Sequence, residues 1–350
     1  MSGDTKVFPA DQLRRLGEEL FTACGAPADE AAIVAGELVE ASLMGLESHG
    51  VTRYIMYVEE VLAGRIKPGA LVVPVRETPT LAVVDCGFNF GPVSATRMTD
   101  LVVAKARAAG IAFCVSRHSH HVGRLGGYVQ RAAEQGVFCL AVANSSKHGH
   151  FVVPWGGREG RLATNPLAYG VPTGGRPVVL DMSTSMIAEG KIRVLMHAGQ
   201  PVPPGRILDG QGQPTIDPKA FYGPPRGTIL PLGGELGYKG FGLGLLVEIL
   251  GSTMAGEAVT DEFRYMNGLG LIAIDPEPLC GLEGFRMLMD DLAAYVTSSP
   301  PAPGHGEVGM PGALDFRIRE ARLRDGIPLP EATCCQLVEV AAKVGVTARL

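Results

Sequence analysis

Two clusters of polar residues stand out by type and spacing along the 350-residue chain. The first is Ser48-His49-Gly50-Val51-Thr52-Arg53, continued by Tyr57. A helix starting from a Ser48 cap brings His49, Arg53 and Tyr57, four residues apart, onto one face. That face carries an imidazole, a guanidinium fork and a phenol, a set suited to two-pronged capture of a small organic acid; a solvated helix face with a capping serine is the alternative. The second cluster, His118-Ser119-His120-His121-Val122-Gly123, directly follows the strand-like run IAFCV (111–115) and precedes a helical stretch. Ligands of α/β proteins gather at strand carboxyl ends, so a histidine there is placed for acid/base work near neutral pH. His148-Gly149-His150 lies at the end of the next strand-like run and, with the first group, raises a zinc hypothesis. No HExxH helix or Cys/His spacing accompanies it.

Three further groups carry weaker signals. Asp181-Met182-Ser183-Thr184-Ser185 follows PVVL and reads either as a ligand-facing turn or as a strand-ending Asp with a hydroxyl cap. Thr164-Asn165-Pro166-Leu167 is a turn by composition. Lys239, followed by GFGLG, opens a helix whose free amides form a possible anion site, with close helix packing of small residues as the alternative. The dinucleotide fingerprint G-x-G-x-x-G at a strand-to-helix turn is absent; the nearest match, Gly268 to Ala273, runs into a strand instead of leaving one.

The elements that must position these groups follow from periodicity. Apolar residues at helical spacing fill 9–47, with a joint at Gly25-Ala26-Pro27, and continue over 50–63. From 71 to 180 short runs rich in Val, Ile and Ala (LAVVD, IAFCV, VFCLAVA, PVVLD) alternate with helical stretches 93–109 and 124–135. This is an α/β pattern with a buried, at least partly parallel sheet. The Gly- and Pro-dense segment 197–237 reads as ordered loop, and loops of that length usually serve function. Beyond it come a small-residue helix (240–254), a strand (269–275), and helices at 282–297 and 331–344. Both chain ends are expected to form one helical layer beside the sheet.

Composition bounds the role. Apolar residues make up 46% and charged residues 19%, with a net charge of −5, so a disordered chain or a nucleic-acid coat is not expected. Seven cysteines without a C-x-x-C pair read as reduced thiols in the cytoplasm. The amino terminus lacks a signal-peptide layout, and the most apolar run, FGLGLLVEIL, is interrupted by Glu248, so no membrane contact is expected.

In order and spacing, SHGVTRYIMYV with GRIKP, HHVGRLGGYVQRAAEQG, PWGG with ATNPLAYGVP, LDMSTSMIAEGKIR and YKGFGLGLLVEIL resemble the malate/L-lactate dehydrogenase family over nearly the whole chain. The stretch GKIRVLMHAGQPVPPGRILDGQGQPT is most similar to the hydroxycarboxylate dehydrogenases that reduce 2-oxo acids. The resemblance implies an α/β fold with a mixed sheet that is not a Rossmann fold. It divides the chain into a helical substrate-side segment (1–71), joined by 276–350, and a nucleotide-binding mixed-sheet domain (72–275). It further implies a homodimer that passes a hydride between NADH or NADPH and C2 of a 2-oxo or 2-hydroxy acid, or of a cyclic imino acid. By the same carry-over His121 is the acid/base, with His49 and Arg53 also catalytic. Ser48, Arg53, Tyr57 and Thr164 face the substrate, with Arg53 on its carboxylate. His121, Ser145, Asp181, Met182, Ser183 and Lys239 face the cofactor, and Asn165 lies near the same cleft. No metal is implied, and the choice between NAD and NADP is not readable.

Two departures qualify the carry-over. Where the family usually has Asn-Ser-Asn, or a smaller last residue, this chain has His118-Ser119-His120, which leaves His120 as a rival for the acid/base role. Where the family shows Pro-Gly-Glu, it has Pro311-Gly312-Ala313. The extra histidines favour oxo acids over cyclic imines, whose protonated ring avoids neighbouring cations.

Overall fold

The computed structural model describes residues 5–257 and 267–350. Residues 1–4, part of the amino-terminal stretch read for a signal, and 258–266, part of the 72–275 span, lie outside the described residues. The chain opens with β1 (Thr5–Phe8), α1 (Ala10–Ala23), α2 (Ala28–Leu43) and α3 (Arg53–Leu62). It continues through β2 (Val73–Glu77), β3 (Leu81–Asp85), α4 (Gly91–Ala109), β4 (Ile111–Arg117), α5 (Leu125–Glu134) and β5 (Phe138–Ala143). Next come β6 (Leu167–Val171), β7 (Val178–Met182), α6 (Glu189–His197), β8 (Ile207–Leu208), β9 (Pro214–Thr215), α7 (Pro218–Tyr222) and β10 (Thr228–Ile229). The chain ends with α8 (Tyr238–Gly251), β11 (Leu269–Ile274), α9 (Glu277–Cys280), α10 (Leu282–Thr297), α11 (Ala313–Asp325), β12 (Ile327–Pro330) and α12 (Glu331–Lys343).

Seven strands form the main sheet in the order β2-β3-β4-β11-β5-β6-β7. It is mixed, and among the described residues β3 and β4 are its one parallel pair. β11 lies between β4 and β5 and runs antiparallel to both, so the two strands that carry the histidine groups point the same way without touching. Their carboxyl ends therefore open on one side. Met98 and Val102 of α4 and Tyr128 and Val129 of α5 pack with Cys114, Ala141 and Leu271 of the sheet into one buried cluster. β6 takes α5 at close range, because a Cβ on Gly170 would stand 2.1 Å from the Val129 carbonyl oxygen.

Both chain ends build the helical layer, as their apolar spacing suggests. Leu13, Leu20, Phe21, Leu38 and Tyr54 share a buried cluster with Ile327, Leu329, Leu337 and Val340, and β1 pairs antiparallel with β12. α10 adds no buried residue to it. A third cluster, with Val152, Ile192, Ile207, Phe221 and Ile229, knits the loop-rich span into a small lobe around β8, β9 and β10. No helix among the described residues is long and apolar enough to cross a membrane.

Several expectations need correction. The helix expected from Ser48 starts at Arg53: Gly50 is extended (φ −98°, ψ −150°), and Glu47–His49 form a separate 3-10 turn. β6 went unread because its run begins inside a turn signal, Asn165-Pro166. α11 was missed because its RIREARLRD stretch has no apolar stripe; it docks on α2 through an Arg319–Glu40 pair and on the turn that follows α2 through Arg322–Glu47, with Phe316 as its one buried residue.

Gly170→Ala is expected to cost roughly 3 kcal/mol, the upper end of ordinary overpacking, because rigid backbone opposes the new methyl. Urea unfolding measures it; a loss under about 0.5 kcal/mol would mean that α5 and β6 do not meet as described.

Candidate active site

The three histidines after β4 are aimed in three directions. His118 sits in the left-handed region (φ 50°), packs its ring at a tilt against Phe88, and turns its Nδ1 to the Asp85 carboxylate 3.0 Å away. His120 is 1% exposed, and its Nε2 lies 3.4 Å from Glu60, whose carboxylate is itself gripped by Arg65. Of the three, only His121 lines a polar cleft between the helical layer and the sheet. The cleft measures about 220 Å³, and its lining includes Ser48, His49, Arg53, His121, Ser145, Thr164 and Asn165. Three segments far apart in sequence thus converge: the turn before α3, the loop after β4, and the loops flanking β5 and β6.

Tyr57 sets the state of His121 from behind. Its phenol oxygen is 2.8 Å from the His121 carbonyl oxygen and 2.9 Å from Nδ1. A phenol has one proton and a carbonyl can only accept, so that proton goes to the carbonyl and Nδ1–H donates to the phenol oxygen. The neutral ring is then protonated on Nδ1 and carries its lone pair on Nε2. Burial keeps the Tyr57 phenol protonated well above its usual range. The backbone is fixed as tightly: Gly91, at the start of α4, approaches so closely that a Cβ there would fall 1.9 Å from the His121 carbonyl oxygen. Tyr128 donates its hydroxyl to the Val122 carbonyl, and the Val122 N–H donates to Asn267 Oδ1 at 3.0 Å.

The charges that act on His121 are all positive. Burial first, then the charges of Arg53, His49 and His120, hold the His121 pKa well below the usual imidazole range. His49, stacked on His121 with centroids 5.7 Å apart, is pushed down to about 4 by burial and by Arg53. Its Nδ1 lies 3.0 Å from Ser48 Oγ. Arg53 is oriented by its Nε bond to the Ser48 carbonyl (2.5 Å) and a weak Nη1 contact with Met56 Sδ (3.4 Å). Its outer edge is thereby left for an anion. Glu189 also lines the cleft, next to Gly190, which packs beside Ser48, and is engaged by Arg193 (2.6 Å) and by the Tyr222 hydroxyl (2.8 Å).

Other expected residues lie elsewhere. Asp181 Oδ2 accepts the Gly126 N–H at 2.7 Å in the first turn of α5, and burial raises its pKa. Met182 pairs with Leu167 across β6 and β7, and Ser183 Oγ bonds to the Ser185 carbonyl. Lys239 is exposed at the start of α8. None of these four lines the cleft. They lie along the β7 end and the start of α8, which are joined through Leu232: its N–H donates to the Thr184 carbonyl at 2.9 Å and its backbone packs against Gly240. Asn144, Asn267, Gly123, Glu189 and Gly190 line the cleft and were not anticipated; of these, Asn144 had a signal, since it directly follows a strand. Among the described residues no three His, Cys, Asp or Glu side chains gather as a metal site, and His150 is instead 3.2 Å from the Ser145 carbonyl.

A family model described as malate/L-lactate dehydrogenase matches residues 8–338. The chain is 34% identical over 349 residues to a malate dehydrogenase of Pyrococcus abyssi, covering 97% of this chain and 95% of that one. It is 32% identical over 333 residues to a Delta(1)-pyrroline-2-carboxylate/Delta(1)-piperideine-2-carboxylate reductase of Pseudomonas putida, covering 92% and 93%. The crystal structure of a malate dehydrogenase from Entamoeba histolytica matches with a TM-score of 0.93 at 27% identity, over 99% of this chain and 100% of that one. With the mixed sheet and the two-ended helical layer, these likenesses establish that the chain belongs to the malate/L-lactate dehydrogenase family and is an oxidoreductase.

Proposed function

We propose that the protein interconverts small 2-oxo and 2-hydroxy carboxylic acids with a nicotinamide cofactor, using His121 as acid/base and Arg53 as the carboxylate anchor. One observation carries this reading: Arg53 and His121 share a small cleft, and Tyr57 leaves His121 Nε2 as its available base. The cleft wall fits the cofactor. Gly123 (φ 76°) lines it with no atom within 4 Å of where a Cβ would stand, so bare backbone is open to a flat ring, with Ser145, Thr164 and Asn144 alongside as hydrogen-bonding groups. When bound, the dihydronicotinamide supplies the hydride. Arg53 holds the acid and limits its rotation. His121 Nε2 accepts the hydroxyl proton in one direction and, once protonated, returns it to the developing alkoxide in the other. NAD and NADP are both accommodated by this reading.

A second reading, reduction of cyclic imino acids, is favoured by the Glu189 carboxylate in the wall, which suits a protonated ring nitrogen, and by the Pseudomonas putida relative. Seven unpaired cysteines suit a reducing cytoplasm. A homodimer is favoured by the outer face of α8, where Leu243, Leu245, Leu246 and Ile249 are all more than a third exposed, and by Met287, Leu288 and Tyr295 of α10.

Purified protein is expected to oxidise NADH or NADPH with 2-oxo acids; turnover only with cyclic imines would promote the second reading. His121→Ala should lose turnover by a factor of about 10²–10⁴ while still binding cofactor. Arg53→Lys should chiefly raise the KM for the acid, since one ammonium cannot reproduce the fork. Acid binding also neutralises Arg53, which after burial is a cause of the depressed His121 pKa, so that pKa rises in the complex and binding takes up protons on the acid side of neutrality. Calorimetry in buffers of different ionisation enthalpy reads this, and proton release on binding would contradict it. Light scattering is expected to give twice the 36.8 kDa chain mass, and a monomer would remove the α8 and α10 faces from consideration.

A further inference from the structure

α8 is built inside out. Leu243, Leu245 and Leu246 face outward, while Glu248, in its last turn, is 3% exposed. Its two carboxylate oxygens receive different amides: Asn144 Nδ2 donates to Oε2 at 2.6 Å and Asn165 Nδ2 to Oε1 at 2.8 Å. The orientation of both amides is dictated by backbone groups that have a single role. Asn144 Oδ1 accepts from the Gly268 N–H at 2.9 Å, as well as from Ser252 Oγ at 2.9 Å, so its nitrogen must face Glu248. Asn165 Nδ2 also donates to the Gly244 carbonyl at 2.9 Å, which fixes it the same way. Glu248 must therefore accept on both oxygens, a task that a glutamine amide cannot perform.

Every branch from this hub reaches the cleft. Asn144 and Asn165 line it, and Asn165, at 0% exposure, sits in the left-handed region (φ 41°) just ahead of Pro166. That conformation is disfavoured before a proline and needs fixed partners to hold it. The Asn144 carbonyl accepts from Asn267 Nδ2 at 2.7 Å, and Asn267 Oδ1 accepts the Val122 N–H, the peptide next to His121. We propose that Glu248 is a positioning residue for the reaction: it touches no substrate, but through Asn144, Asn165 and Asn267 it fixes the cleft floor relative to His121.

The inference rests on the reaction proposed above, so wild-type protein is assayed alongside; if it turns over none of the acids or imines, that reaction fails. Glu248 is then judged by side-chain amide NMR, where Glu248→Gln should shift the Asn144 and Asn165 Nδ2 signals, and unmoved signals would overturn the inference. With an active wild type, Glu248→Gln places a donor against a donor and should lower kcat by about tenfold or more while the KM for the acid moves less than about threefold. The pair Glu248→Gln with Asn144→Asp restores every donor and acceptor and should recover part of kcat. A folded Glu248→Gln protein with wild-type kcat and KM would overturn the assignment. If that variant does not fold, Glu248→Asp, which keeps two acceptor oxygens but draws them back by one methylene from both amides, decides: a fall in kcat with little change in KM supports the assignment and an unchanged kcat overturns it.

Discussion

The bond from Tyr57 to the His121 ring and carbonyl is the contact on which the site depends, because it joins two bodies with separate cores. Tyr57 belongs to the helical layer built from both chain ends, and His121 to the loop at the end of a sheet strand. The same phenol that sets the ring's proton also sets where the loop stands, so chemistry and docking of the layers are one interaction. Gly91 completes the clamp by leaving no room between α4 and the same carbonyl.

The electrostatics follow from that clamp. An imidazole held beside a guanidinium and two other imidazoles, in a wall that excludes most water, is biased towards its neutral form. One cation that depresses it, Arg53, is also the group proposed to hold the acid, so on that reading ligand capture and base strength are linked. Glu189, held by Arg193 and Tyr222, adds negative charge near Arg53 and keeps the cleft from being uniformly cationic.

Much of this was legible in the residues. Strand ends followed by polar groups marked the His121 loop, and SHGVTRY marked the segment that brings Ser48, His49 and Arg53 to the same cleft. What sequence could not show was direction. Three histidines within four positions look equivalent on paper, and only the left-handed turn at His118 and the burial of His120 against Glu60 separate them. Tyr57 and Arg53 share a helix at the expected spacing, but Gly50 puts His49 on a different turn. Glu248 was read as an interruption in an apolar run. A lone carboxylate inside such a run is a signal in its own right, since it must find buried donors. α11 and α10 were hard for opposite reasons: one packs through ion pairs, and the other exposes its apolar side chains.

The place of β11 bears on how the protein is made. This strand, Leu269–Ile274, occupies the middle of the main sheet between strands that precede it by more than 120 residues. During synthesis β4 and β5 leave the ribosome with their facing edges unpaired, and they stay so until the chain has grown past Ile274. Such late, non-local closure is the slow limb of folding, since loop entropy is lost before any pairing is gained. Two nascent edges left open that long are the places where a helper protein or a neighbouring chain would first attach.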